Sequence, residues 1–397
     1  MSEWKKVKLG DVSLCIQPGP FGTQLHNSDY TDKGVPVIMP KDMIDGRVLH
    51  DKLEHVSEDT ANRISRHKVD AGDIMVARKG DVRKCIYIRE SEEGWITGSD
   101  CLKMQLNQKI CNSKFIYFQL RSPYIGAWLQ QVSKGATMPS LNTSLLSNIE
   151  IVLPPISTQN NVAEILSRYD SLIENYQKQI KLLEEAAQRL YKEWFVDLHF
   201  PGHENTKIVD GVPEGWEKKR LSDISNIIMG QSPKSEFYNT DGNGLPFHQG
   251  VGSYGYRFVV DNTYSTSFTR IAEPNSILFS VRAPVGRLNI TKNKIVIGRG
   301  LASINHKMGC QSYLYYLLKE KFFKDNIIGN GAIFASISKD ELYNLAFIMP
   351  SDEMIKRYDA IANKLDKDIQ YVDSQIRLLT EARDRLLPKL MSGEITV

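Results

Sequence analysis

The clearest pattern of apolar and polar positions lies in two segments, one in the middle of the chain and one at its end. In the first segment, apolar or aromatic side chains recur at alternating steps of four and three residues: Val162, Leu166, Tyr169, Ile173, Tyr176, Ile180, Leu183, Ala187, Leu190 and Trp194. This spacing is the heptad seam of a coiled coil, which is narrower than the apolar stripe of a helix on a globular surface. It predicts a long central spacer helix within residues 153–200.

A second seam follows when 196 is added to each of these positions, and it predicts a C-terminal spacer helix within residues 351–397. Nine of its ten positions are apolar or aromatic, with Arg383 as the exception. Two matched seams favour pairing of the helices with each other, although each helix could instead pack on its own domain. The residues expected to pair the helices are Ile173, Ile180, Leu183, Leu190, Ile369, Ile376, Leu379 and Leu386.

The start of each helix is marked by residues that can cap it. Ser157 or Thr158 is the candidate N-cap of the first helix, and Ser351 or Asp352 that of the second. Their side-chain oxygens can accept hydrogen bonds from the unpaired N–H groups of a first helical turn.

The helices belong to a larger internal repeat. Residues 134–136 (Lys-Gly-Ala) and 330–332 (Asn-Gly-Ala) stand 196 apart, and the same offset continues through both helical segments. Near the start of each copy, Trp4 matches Trp216 at an offset of 212. The chain therefore contains two tandem copies of one plan, a globular part followed by a helical part, with an expected pseudo-two-fold relation between them.

The globular parts, residues 1–152 and 214–350, show a mixed α/β pattern, and a polar linker is expected at 201–213. Short apolar runs bounded by Gly, Asp, Asn or Pro predict strands, and they are Val35–Ile38, Ile74–Ala77, Ser276–Phe279 and Lys294–Ile297. Aromatic and leucine side chains on one face predict helices at Ser113–Gln131 and Gln311–Asp325.

If the two copies are related by a two-fold axis and their helices pair, the helices must run antiparallel. From Val162 to Trp194 the first seam extends over about 48 Å at 1.5 Å per residue. Two domains held that far apart would meet a DNA duplex at points about 14 base pairs apart. A rigid spacer between two non-identical domains would thus favour a bipartite, asymmetric target.

Composition adds little to this picture. The net charge is +3, and basic residues outnumber acidic ones 20 to 18 in 1–152 and 17 to 13 in 201–350. Five scattered cysteines without a C-x-x-C pair argue against a disulfide framework or a cysteine-based zinc site. With no apolar run long enough to span a membrane, we expect a cytoplasmic protein that does not contact membranes.

Candidate DNA contacts lie in loops that follow predicted strands, where side chains could reach base edges or phosphates. The first group is Arg78, Lys79, Arg83 and Lys84, and its approximate counterpart in the second copy is Arg282 and Arg287. Weaker candidates in other Gly- or Pro-rich loops are Gln24, Lys41, Gln231, Lys234, Gln249 and Arg257. The alternative for each residue is an ordinary solvated surface turn.

Catalytic motifs are weak in this chain. Residues 250–255 match the string G-x-G-x-x-G but lead into a β-prone segment, whereas phosphate binding requires the N-terminus of a helix. The sequence contains no G-x-x-x-x-G-K-[ST] string, and residues 153–156 (Leu-Pro-Pro-Ile) lack the amide or carboxylate that amino-methyltransferases place before paired prolines. We therefore expect no catalytic, cofactor-binding or metal-binding residues.

The order and duplication of these features resemble the specificity subunits of type I restriction-modification systems. The resemblance extends over essentially the whole chain, from the domain starts at Trp4 and Trp216 to the closing Leu386–Met391 segment. It implies an α+β fold with two mixed α/β target-recognition domains, each reading one half of a split DNA site, joined by two long antiparallel coiled-coil helices.

The same resemblance implies partners that carry the chemistry. Two methyltransferase subunits with S-adenosylmethionine would methylate adenine, and restriction subunits using ATP and Mg²⁺ would translocate and cleave double-stranded DNA. Two alternatives stay open at this point. One is a coiled-coil scaffold or interaction protein that does not bind DNA, and the other is a self-contained endonuclease, for which the sequence offers no convincing metal cluster.

Overall fold

A computed structural model describes residues 4–132, 140–323 and 336–397. The chain forms two compact units: the first unit is Met1–Asn175 with Gln375–Val397, and the second unit is Tyr176–Ser374. This division differs from the predicted domain boundaries because each long helix is shared between the two units. The repeat residues 134–136 and 330–332 lie outside the described residues.

The first unit contains two four-stranded sheets, one with the strand order β2-β11-β8-β9 and the other with the order β10-β4-β7-β3. The first of these sheets is antiparallel throughout, whereas β10 and β4 of the second are parallel. Two short pairs, β1-β12 and β5-β6, complete the unit. The strands are β1 Lys5–Lys8, β2 Ser13–Pro18, β3 Tyr30–Thr31, β4 Val35–Ile38, β5 Met43–Ile44, β6 Arg47–Val48, β7 Glu54–Val56, β8 Ile74–Ala77, β9 Cys85–Tyr87, β10 Ile96–Thr97, β11 Cys101–Leu106 and β12 Glu150–Leu153.

The helices that begin in the first unit are α1 Glu58–Arg63, α2 Ser113–Leu120, α3 Pro123–Val132, α4 Thr143–Ser147 and the long α5 Ile156–Phe195. The helical structure predicted for residues 113–131 is confirmed, and it is divided into two helices, α2 and α3. Pro123 lacks the N–H that a continuing helix would use, and it disfavours helical backbone in the residue before it. Helix α5 also begins at Ile156, before both of its predicted caps.

The second unit repeats the sheet arrangement of the first. Its antiparallel sheet has the order β16-β24-β21-β22, and a five-stranded sheet has the order β17-β19-β18-β23-β20. The expected linker contains the hairpin β13-β14, and β15 pairs with β25. The strands are β13 Ile208–Val209, β14 Val212–Pro213, β15 Glu217–Arg220, β16 Ser225–Met229, β17 Tyr238–Asn239, β18 Leu245–His248, β19 Tyr264–Ser265, β20 Ile271–Ala272, β21 Ile277–Ser280, β22 Leu288–Ile290, β23 Ile295–Ile297, β24 Leu301–His306 and β25 Ala346–Met349.

The helices that begin in the second unit are α6 Leu221–Ile224, α7 Gln311–Phe323, α8 Lys339–Tyr343 and the long α9 Asp352–Ser392. Helix α9 starts as predicted, because the Ser351 hydroxyl accepts a hydrogen bond from the Met354 N–H at 3.3 Å. The predicted strands are confirmed, two of them with the predicted bounds (β4 and β8) and two displaced by about one residue (β21 and β23). All four residues of β8 and all four of β21 are buried, which explains why these strands appear as uninterrupted apolar runs.

The two long helices lie side by side within each unit. In the second unit, the Tyr358 hydroxyl of α9 donates to the Ala187 carbonyl of α5 at 2.9 Å, and the Tyr358 ring lies 6.0 Å from that of Trp194. In the first unit, Val162 and Leu166 share a hydrophobic cluster with residues 387–391 of α9. The two helices therefore contribute part of the core of each unit.

None of the eight residues predicted to pair the helices is exposed to solvent; each is buried or half-buried. Ile173, Ile180 and Ile369 are buried, whereas the five others are half-buried. Leu182 and Leu378, which lie off the predicted seam, are instead exposed. Burial thus follows the heptad positions, while pairing along the full length of the helices stays a prediction.

The polar exception in the second seam has a specific partner. The Arg383 Nη1 atom donates to Asp170 Oδ1 of α5 at 2.6 Å, and Arg121 Nη1 lies 3.5 Å from the other oxygen of the same carboxylate. The side chains of Asp170 and Arg383 are only 18% and 13% exposed. Asp170 therefore neutralises two guanidinium groups that water reaches poorly.

Asp170→Ala should lower the free energy of unfolding by about 2 kcal/mol, since it leaves the partly buried Arg121 without a carboxylate and leaves Arg383 with the exposed Asp384 as its remaining partner. The double variant Asp170→Ala with Arg383→Met should recover part of this loss, because the guanidinium that loses its 2.6 Å contact with Asp170 is then removed. Urea unfolding followed by tryptophan fluorescence measures both changes. Equal stability of the single variant and the wild-type chain would contradict this role.

A buried histidine makes the stability of the second unit depend on pH. His306 is 6% exposed, and burial lowers the pKa of its imidazole to about 4. Its Nδ1 atom accepts a hydrogen bond from the Met308 N–H at 3.2 Å, which requires a neutral ring. The folded chain keeps this ring neutral down to about pH 4, whereas an unfolded chain protonates it near pH 6.5. Folding stability is therefore lost as the pH falls between these two values.

His306→Asn should reduce the loss of stability between pH 7 and pH 5 by on the order of 1–2 kcal/mol relative to the wild-type chain. Asparagine is chosen because its side-chain oxygen can accept from the same N–H and does not titrate. Urea unfolding midpoints at the two pH values give the comparison. The same loss in both proteins would show that His306 does not cause it.

Candidate nucleic-acid interface

Four loops of the second unit meet at one edge of its sheets, and we call residues 230–234, 249–251, 281–284 and 298–300 the second edge. Backbone hydrogen bonds join these loops to one another and to the strands beside them. The Gly298 N–H donates to the His248 carbonyl at 2.8 Å, and the Gly300 N–H donates to the Gln249 carbonyl at 3.1 Å. The Val281 N–H in turn donates to the Gly300 carbonyl at 2.9 Å. The edge is thus a fixed assembly of loops from different strands.

Polar and cationic side chains gather at the second edge. Gln249, Arg282 and Arg299 line one cavity of about 150 Å³. Arg282 and Arg299 are exposed. Amide and guanidinium groups are the side chains that bind adenine and guanine edges in two-point contacts, and arginine also binds phosphates. The arrangement can therefore contact either bases or the backbone of DNA.

The first unit has a matching set of loops, and we call residues 19–24, 39–41, 78–80 and 98–100 the first edge. The Gly98 N–H donates to the Ile38 carbonyl at 2.9 Å, and the Arg78 N–H donates to the Asp100 carbonyl at 2.7 Å. These two bonds correspond to those from Gly298 and Val281 in the second unit. The two edges are therefore built on the same backbone plan.

Paired glycines allow the loops of each edge to pack closely. A β-carbon at Gly19 would lie 1.9 Å from the Gly98 carbonyl oxygen, and one at Gly230 would lie 2.1 Å from the Gly298 carbonyl oxygen. Neither distance leaves room for a side chain next to a backbone atom. Glycine is thus required at the same place in both copies.

The structure refines the correspondence between the two basic groups. The Ala77 N–H bonds to the Lys84 carbonyl, and the Ser280 N–H bonds to the Arg287 carbonyl, both at 2.9 Å. Lys84 is therefore equivalent to Arg287, and the same shift of 203 residues makes Lys79, and not Arg78, equivalent to Arg282. Lys79 and Arg282 also form equivalent single bridges, with Ser140 and Ser336.

Several candidates of the first unit already contact other side chains. Lys79 lies 2.9 Å from an Asp100 oxygen, and Arg83 donates to both oxygens of Asp81 at 2.8 and 3.0 Å. The hydrogen bond from Arg83 lowers the pKa of the Asp81 carboxyl. These pairs are exposed, so water competes with them and DNA phosphates could replace the carboxylates.

The other candidates of the first unit also contact neighbouring residues. Lys84 is half-buried and donates to the Pro40 carbonyl at 2.7 Å, and Lys41 forms an exposed ion pair with Glu54. Gln24 is half-buried, with its backbone carbonyl accepting from Arg63 at 3.1 Å. Arg78 lies over the exposed ring of Phe21 at 5.9 Å. Lys41, Lys79 and Arg83 are thus the exposed candidates here, each in an ion pair that water reaches.

The structure corrects the prediction for Arg257. This residue is only 2% exposed, and its guanidinium group lies between Glu184 and Asp366 at 3.0 and 2.6 Å. A buried and doubly paired guanidinium has no face left for DNA. Arg287 is exposed and lines a cavity of about 410 Å³ with Tyr254 and Lys319, which is a different cavity from that of Arg282, although Val251 lines both.

The sequence prediction missed two residues that the structure places at the edges, Arg299 and Phe21. Arg299 stands between two glycines directly after the buried strand β23, which is the pattern that singled out Arg78 and Arg282. That signal was present in the sequence. Phe21 has no comparable pattern, and its 55% exposure is visible only in the structure.

The G-x-G-x-x-G string forms a loop. Residues Val251–Ser253 make a single 3-10 turn, after which Tyr254 pairs with Val259 in an isolated bridge. Among the described residues, no group of three or more His, Cys, Asp or Glu side chains could hold a metal ion. In the described part of the chain, no helix combines the length and the apolar character needed to cross a membrane.

Comparison with known proteins places these features in a family. The profile of the type I restriction modification DNA specificity domain matches residues 1–185 and again residues 213–378. A Methanocaldococcus jannaschii protein, provisionally named as the MjaX type I restriction enzyme specificity subunit, is 28% identical over all of this chain and 94% of its own length. The HindI specificity subunit of Haemophilus influenzae is 22% identical, with complete coverage of both chains.

A solved structure supports the fold. The crystal structure of the type I restriction-modification S subunit from M. genitalium superposes with a TM-score of 0.57 at 18% identity. The match covers 98% of this chain and 96% of that subunit. The mixed α/β arrangement with two specificity domains is therefore shared with that protein.

Proposed function

The chain belongs to the family of type I restriction-modification DNA specificity proteins, and we propose that it reads a bipartite, asymmetric DNA site with one half read by each unit. The observation that carries this proposal is the presence of two edges built on one backbone plan but with different side chains. Lys79 occupies in the first edge the place that Arg282 occupies in the second. Two similar frames with different contacts are what two unlike half-sites would require.

The long helices are proposed to pair as an antiparallel coiled coil that sets the spacing between the half-sites. Helix α5 contains 40 residues and α9 contains 41, so each is about 60 Å long. Within the second unit, Glu184 and Asp366 contact the same arginine, and Ala187 contacts Tyr358. These contacts support the antiparallel arrangement, because the residue numbers rise along one helix as they fall along the other.

We assign no catalytic role to this chain. Two methyltransferase subunits are proposed to dock on it and to modify adenine with S-adenosylmethionine, and restriction subunits are proposed to use ATP and Mg²⁺ for cleavage. The purified chain alone should then neither methylate nor cut DNA. Adding its methyltransferase subunits should restore methylation at the bipartite site.

Genome-wide mapping of methylated adenines, with and without this gene, should return two short base blocks separated by a fixed spacer. Arg282→Ala should relax one block and Lys79→Ala the other, since each removes a contact from one edge only. For the purified wild-type chain, log K for DNA binding should fall linearly as log salt rises, because cationic side chains at the edges neutralise phosphates. A wild-type chain whose DNA affinity does not fall with salt would support a scaffold protein instead.

The spacing has its own test. Inserting seven residues between Asn175 and Tyr176, and seven between Ser374 and Gln375, keeps the heptad phase and lengthens both helices by about 10 Å. The spacer between the two base blocks should grow by about three base pairs, while the blocks themselves stay the same. Insertion into one helix only is the control, and it should abolish recognition because the two helices no longer match. A change in the recognised bases would contradict the spacer role.

A further inference from the structure

We propose that Arg257 is a positioning residue that fixes the second unit's recognition loop, residues 249–261, on both long helices. The inference rests on the proposed function, in which Gln249 at the start of this loop contributes to the second edge. Arg257 would thereby control how accurately one half-site is read without touching the DNA.

The contacts of Arg257 join three separate segments of the second unit. Its Nη1 atom donates to Glu184 Oε1 of α5 at 3.0 Å, and its Nη2 atom donates to Asp366 Oδ1 of α9 at 2.6 Å. Its backbone carbonyl accepts from the Ile290 N–H of β22 at 3.0 Å. One residue therefore connects the loop to each long helix and to the sheet.

Further groups hold the guanidinium in a single orientation. The ring centroid of Tyr315 lies 3.6 Å from its central carbon, which places the guanidinium against the face of the ring. The Tyr316 hydroxyl donates to the same Asp366 oxygen at 3.0 Å, and Lys319 lies 3.5 Å from the second Glu184 oxygen. Both carboxylates are thus occupied, and the planar guanidinium cannot rotate without losing a charged contact.

Hydrogen bonds within the loop connect the position of Arg257 to that of Gln249 at the second edge. The His248 ring bonds to Ser253 Oγ at 2.7 Å and to Asp261 Oδ1 at 2.9 Å, which closes the loop at its base. The Val260 N–H also donates to the Ser253 carbonyl at 2.9 Å. Gln249 is held in turn by the bond from Gly300. A displacement at Arg257 therefore moves the loop as one body and changes the place of Gln249.

The first unit contains a weaker version of the same connection. A shift of 210 residues takes β4 to β18, and it also takes Arg47 to Arg257. Arg47 Nη1 lies 3.9 Å from Glu174 of α5, and both of these side chains are 19% exposed. Arg89 shares this carboxylate at 2.8 Å. Arg47 thus provides a matched control in the same chain.

Arg257→Met is the main test, because methionine keeps much of the side-chain volume and removes the charged contacts. In the adenine-methylation map, base discrimination in the block assigned to the second unit by Arg282→Ala should fall by about tenfold or more. The other block should keep its bases. Arg47→Met should leave the second unit's block unchanged, and Arg257→Lys should recover part of the discrimination because it keeps one ion pair.

Two further measurements separate positioning from contact and from general damage. The salt slope of Arg257→Met should equal that of the wild-type chain, whereas loss of a phosphate contact would make it shallower by about one. Amide hydrogen exchange in residues 249–261 of the full-length chain should become at least tenfold faster, with no change in residues 39–53. If Arg257→Met does not fold, Asp366→Asn and Glu184→Gln replace it, because each leaves the arginine one carboxylate.

The outcomes are distinct. A shallower salt slope for Arg257→Met would show a DNA contact and overturn the proposal, as would equal relaxation of both blocks or unchanged exchange in the loop. If the wild-type chain yields no bipartite motif, the proposed function fails. Hydrogen exchange then still decides whether Arg257 fixes the loop.

Discussion

The carboxylates that the two long helices hold in poorly hydrated positions are the constraint on which the rest of the structure depends. An apolar seam alone stabilises helix packing but does not define the register of one helix against the other. When the seam side chains are similar, one helix can shift along the other by a turn at modest cost. Asp170 in the first unit, and Glu184 with Asp366 in the second, each accept from a guanidinium that water reaches poorly. Any shift would separate these charges, so the carboxylates define one register for the elements around them.

The same carboxylates connect the helices to other elements of each unit. Asp170 contacts Arg121 at the end of α2, and Asp366 contacts Arg257 in the recognition loop. Asp170 and Asp366 are themselves 196 residues apart, which is the offset of the helical repeat. Both copies of the helical repeat therefore carry an aspartate at this position. The arginine that contacts the aspartate comes from a different element in each unit. An aspartate at a constant helical position can therefore hold elements that differ in sequence between the two units.

The features predictable from the sequence were those with a local period. The heptads predicted two long helices, and short apolar runs predicted β4, β8, β21 and β23, because in each case neighbouring residues carry the signal. The break before Pro123 is also a local signal, because proline disfavours helical backbone in the residue before it. Arg257 was misjudged for a different reason. Its partners lie 73 and 109 residues away, and an arginine in a glycine-rich loop has the same local pattern whether it meets solvent or two distant acids.

The seam itself contained a clue to this polar network. A single charged residue among ten apolar positions, Arg383, is costly to bury unless a partner is provided. Its partner Asp170 stands in the other helix, one position from the seam residue Tyr169. A charged exception in an apolar seam therefore indicates where two helices are held in register by an ion pair. Because Asp170 and Arg383 lie outside the loops of the first edge, this ion pair can hold the helices in register without constraining the side chains of that edge.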